Sequence, residues 1–180
     1  MIGQPTSPPA RPAVPDLIAA AVLGVGISLS LSALMLVSTV EHESKLPMPL
    51  AVAFGGHLVG RGTLGMRGLL PVGLLLHVGY VSTATVASAA VFRPRLGAVA
   101  AFGTALVLWI VAGVTVLPYV GWGLFGAGLG LGGALNVLAV HLLFGTFLWA
   151  GSWMTSRGPA VSRASAEVRS ATPAGLATTK

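Results

Sequence analysis

The sequence predicts an all-α polytopic membrane protein: a bundle of four transmembrane helices with a short interfacial or re-entrant segment between the first two spans. Three observations lead there. Of 180 residues, 54% are hydrophobic and 8% charged, roughly a third of the charge an average soluble domain carries, which is too little to build a water-facing surface. Mean hydropathy is +0.89, and several apolar runs approach the roughly 20 residues a helix needs to cross the hydrocarbon core. The runs are continuous rather than alternating, which argues against a transmembrane barrel. The net charge of +6 is carried between and beyond the runs, where it reads as topology signal and headgroup contact rather than as a nucleic-acid surface. The absence of cysteine excludes disulfides, thiolate metal sites and redox dithiols.

In chain order, residues 1–15 form a Pro-rich tail in which no helix or strand can persist, and which is expected to be disordered. The transmembrane domain then covers 16–153. Its first span is expected over about 17–40, with Asp16 as an N-cap accepting the free amides of the first turn. Ala21, Gly24, Ser28 and Ser32 share one face of that span, a small-residue stripe that lets a neighbouring helix approach closely. Glu41, His42, Glu43 and Lys45, followed by Pro47 and Pro49, end it. Residues 50–60 are apolar but too short to span, and Gly55 and Gly56 weaken them as a helix, so they are expected to lie at the interface or re-enter the membrane.

The second span is expected over about 69–92, with Pro71 in its first turn and Arg93, Pro94 and Arg95 after it. The third is expected over about 96–117, closed by Pro118. A Gly-rich, uncharged connection should then hug the membrane surface, with Tyr119 and Trp122 at headgroup depth. The fourth span is expected over about 133–153. Residues 154–180, rich in Ser, Ala and Arg, read as a basic disordered tail. Placing the N-terminus inside puts Arg11, Arg93, Arg95, Arg157, Arg163, Arg169 and Lys180 on the cytoplasmic side, against Lys45, Arg61 and Arg67 opposite. This asymmetry predicts a multi-pass protein of the cell membrane with both termini in the cytoplasm.

Chemistry-bearing residues are few. His77 and His141 each lie about eight or nine residues from the outer end of their spans, roughly 12–14 Å deep, so they should sit at similar depth. Gly73, His77, Ala84 and Ser88 share a face of the second span, and Ala134, His141, Gly145 and Ser152 share a face of the fourth. Both imidazoles therefore point to the helix-packing side. Their local sequences also agree: a Leu three residues before, an aromatic three residues after, and a Gly within the next turn. Two related hairpins set side by side would produce this pattern.

Facing histidines can ligate a b-type haem. They can bind a transition metal, with His57 or the Glu41, His42 and Glu43 cluster adding ligands at the mouth. They can relay protons. They can also do no more than hydrogen-bond across helices to a Ser, Thr or carbonyl. No buried carboxylate is present to orient either ring, and adjacent residues such as Glu41 to Glu43 do not converge on a metal unaided. Asn136 reads as a helix–helix hydrogen bond, and the glycines from Gly121 to Gly133 are not a phosphate loop, since no Gly-Lys-Ser/Thr follows.

Pro118, Gly121-Trp122-Gly123, Phe125-Gly126 and then His141-Leu142-Leu143-Phe144-Gly145 resemble a family of small uncharacterised bacterial and archaeal four-span integral membrane proteins that close with a His-x-x-Phe/Tyr-Gly motif. The resemblance covers mainly Pro118 to Trp153. It implies the four-span topology and singles out His141 and Gly145, and it carries no established activity.

Hydrolysis or group transfer needs a nucleophile with a base, paired carboxylates, or an open metal site, and the residues supply no catalytic set of these kinds. Three classes remain. The first is a helix-packing, interaction or structural membrane component, with the bilayer, a second copy or another membrane protein as partner. The second is a haem- or metal-binding protein using His77 and His141. The third is a small transporter or channel subunit acting as an oligomer, which the lack of a buried acid disfavours.

Overall fold

The computed structural model describes residues 14–40, 45–92 and 96–170. Among these, the chain is helical throughout, with no strand, and four helices are long and apolar enough to cross a membrane: Asp16–Ser38, Gly62–Val91, Ala98–Tyr119 and Leu124–Met154. The expected four-helix architecture is therefore present. The Glu41 to Glu43 cluster, Arg93 to Arg95, the Pro-rich front and the last residues lie outside the described residues.

Helix α1 (Val14–Val40) begins two residues before Asp16, which stands inside the first turn rather than at the cap. Its carboxylate still meets the positive end of the helix dipole there. Helix α2 (Leu50–Val59) is a full α-helix despite Gly55 and Gly56, both of which are buried. Those glycines serve packing rather than weaken the segment. Gly60, with φ at 86°, makes the sharp turn into α3 (Arg61–Val91), a conformation only glycine adopts without strain.

Helix α3 starts eight residues earlier than the expected Leu69, with an interruption at Gly65 (φ 60°, ψ 177°). Pro71 consequently lies within the helix and not in its first turn. Residues 66–68 extend the span because a helix already nucleated adds each further residue at little cost, while 61–64 form a separate turn on the far side of the Gly65 break.

Helix α4 (Ala98–Val111) widens into a π-helical turn, Ala112–Val116, before the short α5 (Leu117–Tyr119). The amide of Leu117 bonds the carbonyl of Ala112, five residues back, directly before Pro118, which has no amide to donate. The wider turn sets Gly113 against Phe125, where an added methyl would lie 2.3 Å from Cδ1 of that ring. Phe125 itself adopts φ 52°, and its ring packs 4.7 Å from that of Trp109.

The connection between α5 and the last helix folds through the 3₁₀ segment Leu124–Leu129, with Leu124, Ala127 and Gly128 exposed and Gly126 buried. Trp122 is buried at 7% exposure, because its amide bonds Leu117 and its carbonyl accepts from Gly128, folding the turn over the ring. Tyr119 stays exposed. The last helix, α6 (Gly130–Ser170), runs past the expected end at Trp153 and through much of the segment read as a disordered tail. Its Ala, Ser, Arg and Glu residues have adequate helix propensity, while Gly158 and Pro159 within it oppose continuation by about 1 and 3 kcal/mol.

Contacts pair α1 with α3 and α4 with α6, the two hairpins expected from the sequence, and α1 with α6 across them. The hairpins share one core: Ile27 and Leu31 from α1, Val81 and Ala84 from α3, Ala101 and Ala105 from α4, Phe144 and Leu148 from α6. A second cluster, Leu46, Ala53, Leu117, Val120, Trp122 and Val137, packs α2 and the α5 turn against α6.

The small-residue stripe of α1 makes the closest helix contact. A methyl at Gly24 would lie 2.6 Å from the Cα of Ser82, while one at Gly26 would meet nothing within 4 Å. Gly24→Leu should therefore cost about 1–3 kcal/mol through overpacking. Gly26→Ala should range from neutral to about 1 kcal/mol stabilising, through helix propensity. Equilibrium unfolding of both variants in mixed detergent micelles checks the contrast.

Candidate functional site

Between the two clusters lies a cavity of about 720 Å³. Residues from α1, α2, α3, α4 and α6 line it, with Ala112 and Val116 from the π turn. The wall contributed by α2 depends on two glycine contacts. A methyl at Gly73 would lie 2.7 Å from Cγ2 and 2.9 Å from Cα of Val52, and one at Gly55 would lie 3.1 Å from Cγ1 of Val72. Helix α2 thus lies close against α3 and leaves the space beside it open.

Among the described residues the lining is aliphatic and aromatic, its only polar side chains are Ser32, His77, Tyr80 and His141, and no charged side chain lines it. Leu29 and Leu36 of α1 and Leu70 and Leu74 of α3 line the cavity and are also exposed, so it communicates with the lipid-facing surface.

His77 and His141, placed at similar depth by their spacing, do meet here. Both are half-buried in the same cavity wall, close enough to interact electrostatically. Their Nδ1 atoms are engaged differently. Nδ1 of His77 lies 2.6 Å from the hydroxyl of Ser32 and 3.3 Å from that of Ser28, both across the helix contact on α1. Nδ1 of His141 lies 2.8 Å from the carbonyl oxygen of Val137, one turn back on its own helix. A carbonyl only accepts, so His141 carries its proton on Nδ1. The orienting partners that the sequence lacked as carboxylates are therefore hydroxyls and a backbone carbonyl, which hold a ring in place equally well.

Ser28 and Ser32, singled out as packing residues, are also the ones that hold His77. Gly73 and Gly145 keep purely steric roles. A methyl at Gly145 would lie 3.0 Å from Cδ1 of Phe102 and 3.1 Å from Cβ of Ala105, so Gly145 lets α4 approach α6 beside His141. Asn136 is half-buried and makes no helix-to-helix hydrogen bond among the described residues.

His57 stands apart from the pair. Its Nδ1 lies 3.1 Å from the carbonyl oxygen of Ala53, and its ring is 5.4 Å from that of Tyr119. Among the described residues no three acidic, histidine or cysteine side chains gather as a metal site. Tyr80 is the lining residue that sequence reasoning missed. It follows His77 by three residues and so shares its helix face, a signal that was there to be used.

Removing the short bond to His77 should be measurable. Ser32→Ala is expected to lower stability by about 0.6–1.7 kcal/mol, the range of interhelical hydrogen bonds in membranes. A double-mutant cycle with His77→Phe, read by unfolding in mixed micelles, would assign that loss to the pair. Comparison with known proteins adds nothing to this geometry: no protein-family model, no curated protein and no solved structure matches the chain.

Proposed function

We propose that this integral membrane protein binds a lipophilic ligand within its helix bundle, with His77 and His141 as the polar contacts. The observation that carries the reading is that both imidazoles open onto one cavity of about 720 Å³, within the size range of small-molecule and cofactor sites. The lining matches such sites in character as well: largely apolar, with a few convergent polar groups. Access from the lipid side suits a ligand that partitions into the bilayer. The resemblance of Pro118 to Trp153 to the four-span family, whose closing motif includes His141 and Gly145, belongs to the same reading.

A b-type haem is one ligand this site could take, with His77 and His141 as axial ligands. The second reading is a helix-packing or interaction component, favoured by the bond from Ser32 to His77, which joins α1 to α3 and is an end in itself if nothing occupies the cavity.

Solvent extraction of the purified full chain, followed by mass spectrometry alongside a visible spectrum, separates the readings. A lipophilic compound should be recovered in near-stoichiometric amount and lost from the His77→Phe, His141→Phe double variant. A Soret band would identify it as haem. Recovery of bulk lipid only, in the same composition from both proteins, would overturn ligand binding in favour of packing.

We further place the protein in the cell membrane with both termini cytoplasmic, on the strength of the lysine and arginine distribution. A reporter fused after Lys180 should be active in the cytoplasm, and activity on the opposite side would reverse the topology.

A further inference from the structure

The two imidazoles are not equivalent, and the difference specifies what they can hold. In the described bundle, serine and threonine hydroxyls mostly donate to the carbonyl four residues back, as in Ser30 to Gly26, Thr85 to Val81, Ser88 to Ala84 and Thr104 to Ala100. Ser28 and Ser32 do not. Their only hydrogen-bond partner among the described residues is Nδ1 of His77. Were Nδ1 of His77 protonated, the hydroxyl hydrogen of Ser32 would be left without an acceptor in an apolar interior, at a cost of about 1–3 kcal/mol. With Nδ1 as acceptor, Ser32 donates at 2.6 Å, and the proton of the neutral ring sits on Nε2. His141 is the reverse: Nδ1–H donates to Val137, leaving a lone pair on Nε2.

Neither Nε2 has a hydrogen-bond partner among the described residues, and neither is enclosed by packing. The cavity wall therefore presents one N–H donor from His77 and one nitrogen acceptor from His141. A hydroxyl group is the complement of that pair, since its oxygen accepts one hydrogen bond and donates another. Apart from Ser32, which is turned to His77, and the phenol of Tyr80, the rest of the lining is apolar, and among the described residues it offers no Lys or Arg to meet a carboxylate or phosphate. Haem fits less well on both counts: axial ligation needs a lone pair on Nε2 of each ring, and the propionates need partners.

We infer that the cavity binds a neutral lipophile bearing one hydroxyl, such as an isoprenoid or long-chain alcohol, with the oxygen accepting from Nε2–H of His77 and donating to Nε2 of His141. This rests on the ligand-binding reading above and assigns its ligand class.

The test is a competition series on the full chain in nanodiscs, using farnesol, farnesyl methyl ether and the parent C15 hydrocarbon as probes. Farnesol should bind about fivefold to tenfold more tightly than the ether, which can accept from His77 but has nothing to donate to His141. The ether should in turn exceed the hydrocarbon. His141→Phe should equalise alcohol and ether, and His77→Phe should reduce the ether to the level of the hydrocarbon. The comparison in the unaltered chain needs no variant to fold. Equal affinity for all three probes would overturn the hydroxyl assignment while leaving an apolar site in place. Tighter binding of haemin than of farnesol, with a Soret shift, would overturn it in favour of haem. No saturable binding of any probe would overturn the ligand-binding reading itself.

Discussion

Water is absent from the hydrocarbon core of a bilayer, so each polar group on a spanning helix must be satisfied by protein. The described bundle meets that demand locally wherever it can. Thr85, Ser88, Thr104, Thr115 and Thr146 all return their hydroxyl hydrogens to the preceding turn, and His141 does the same with its ring N–H. A few groups reach across helices: Ser32 to His77, with Ser28 beside it, and Ser152 to the carbonyl of Leu96. Those bonds tie α1 to α3, and the residues leading into α4 to α6. The indole N–H of Trp109 and the hydroxyl of Ser82 are buried without a protein partner among the described residues, which marks the places where packing overrode satisfaction.

Close packing does the remaining work, because apolar side chains gain nothing from leaving lipid for one another. Small residues let backbones approach at Gly24 against Ser82, Gly73 against Val52 and Gly145 against Ala105. The cavity follows from the second of these contacts. Helix α2 is only ten residues long, and it is drawn tightly onto α3 instead of filling the centre. The histidines are thus left facing open space, because the piece of chain that could have covered them is held to one side.

Much of this was legible in the sequence. The four spans follow from run length and lack of charge. The shared depth of His77 and His141 follows from counting along each span, and their inward orientation from the small residues at helical spacing around them. Ser28 and Ser32 stood out for the same reason, as part of a stripe. What the stripe could not say is that its hydroxyls would turn away from their own helix and toward one imidazole. Trp122 stood out as an aromatic in an uncharged glycine-rich connection, but not as a ring covered by its own turn. The backbone bonds from Trp122 to Leu117 and Gly128 that fold it inward depend on positive φ at neighbouring glycines, which composition does not specify.

The sequence by itself determined that the chain is helical, how many helices can span, and which face of each is for packing. It could do so because in lipid the backbone is satisfied within each helix and side-chain periodicity is set by the helix alone. Tertiary structure decided which faces meet, that α2 becomes a cavity wall, and that one imidazole presents a donor while the other presents an acceptor. Those outcomes depend on contacts between residues such as Ser32 and His77, 45 positions apart, made where a glycine permits two backbones to touch. An apolar alphabet of Leu, Val, Ala and Gly offers many pairings of similar energy, and only the assembled bundle selects among them.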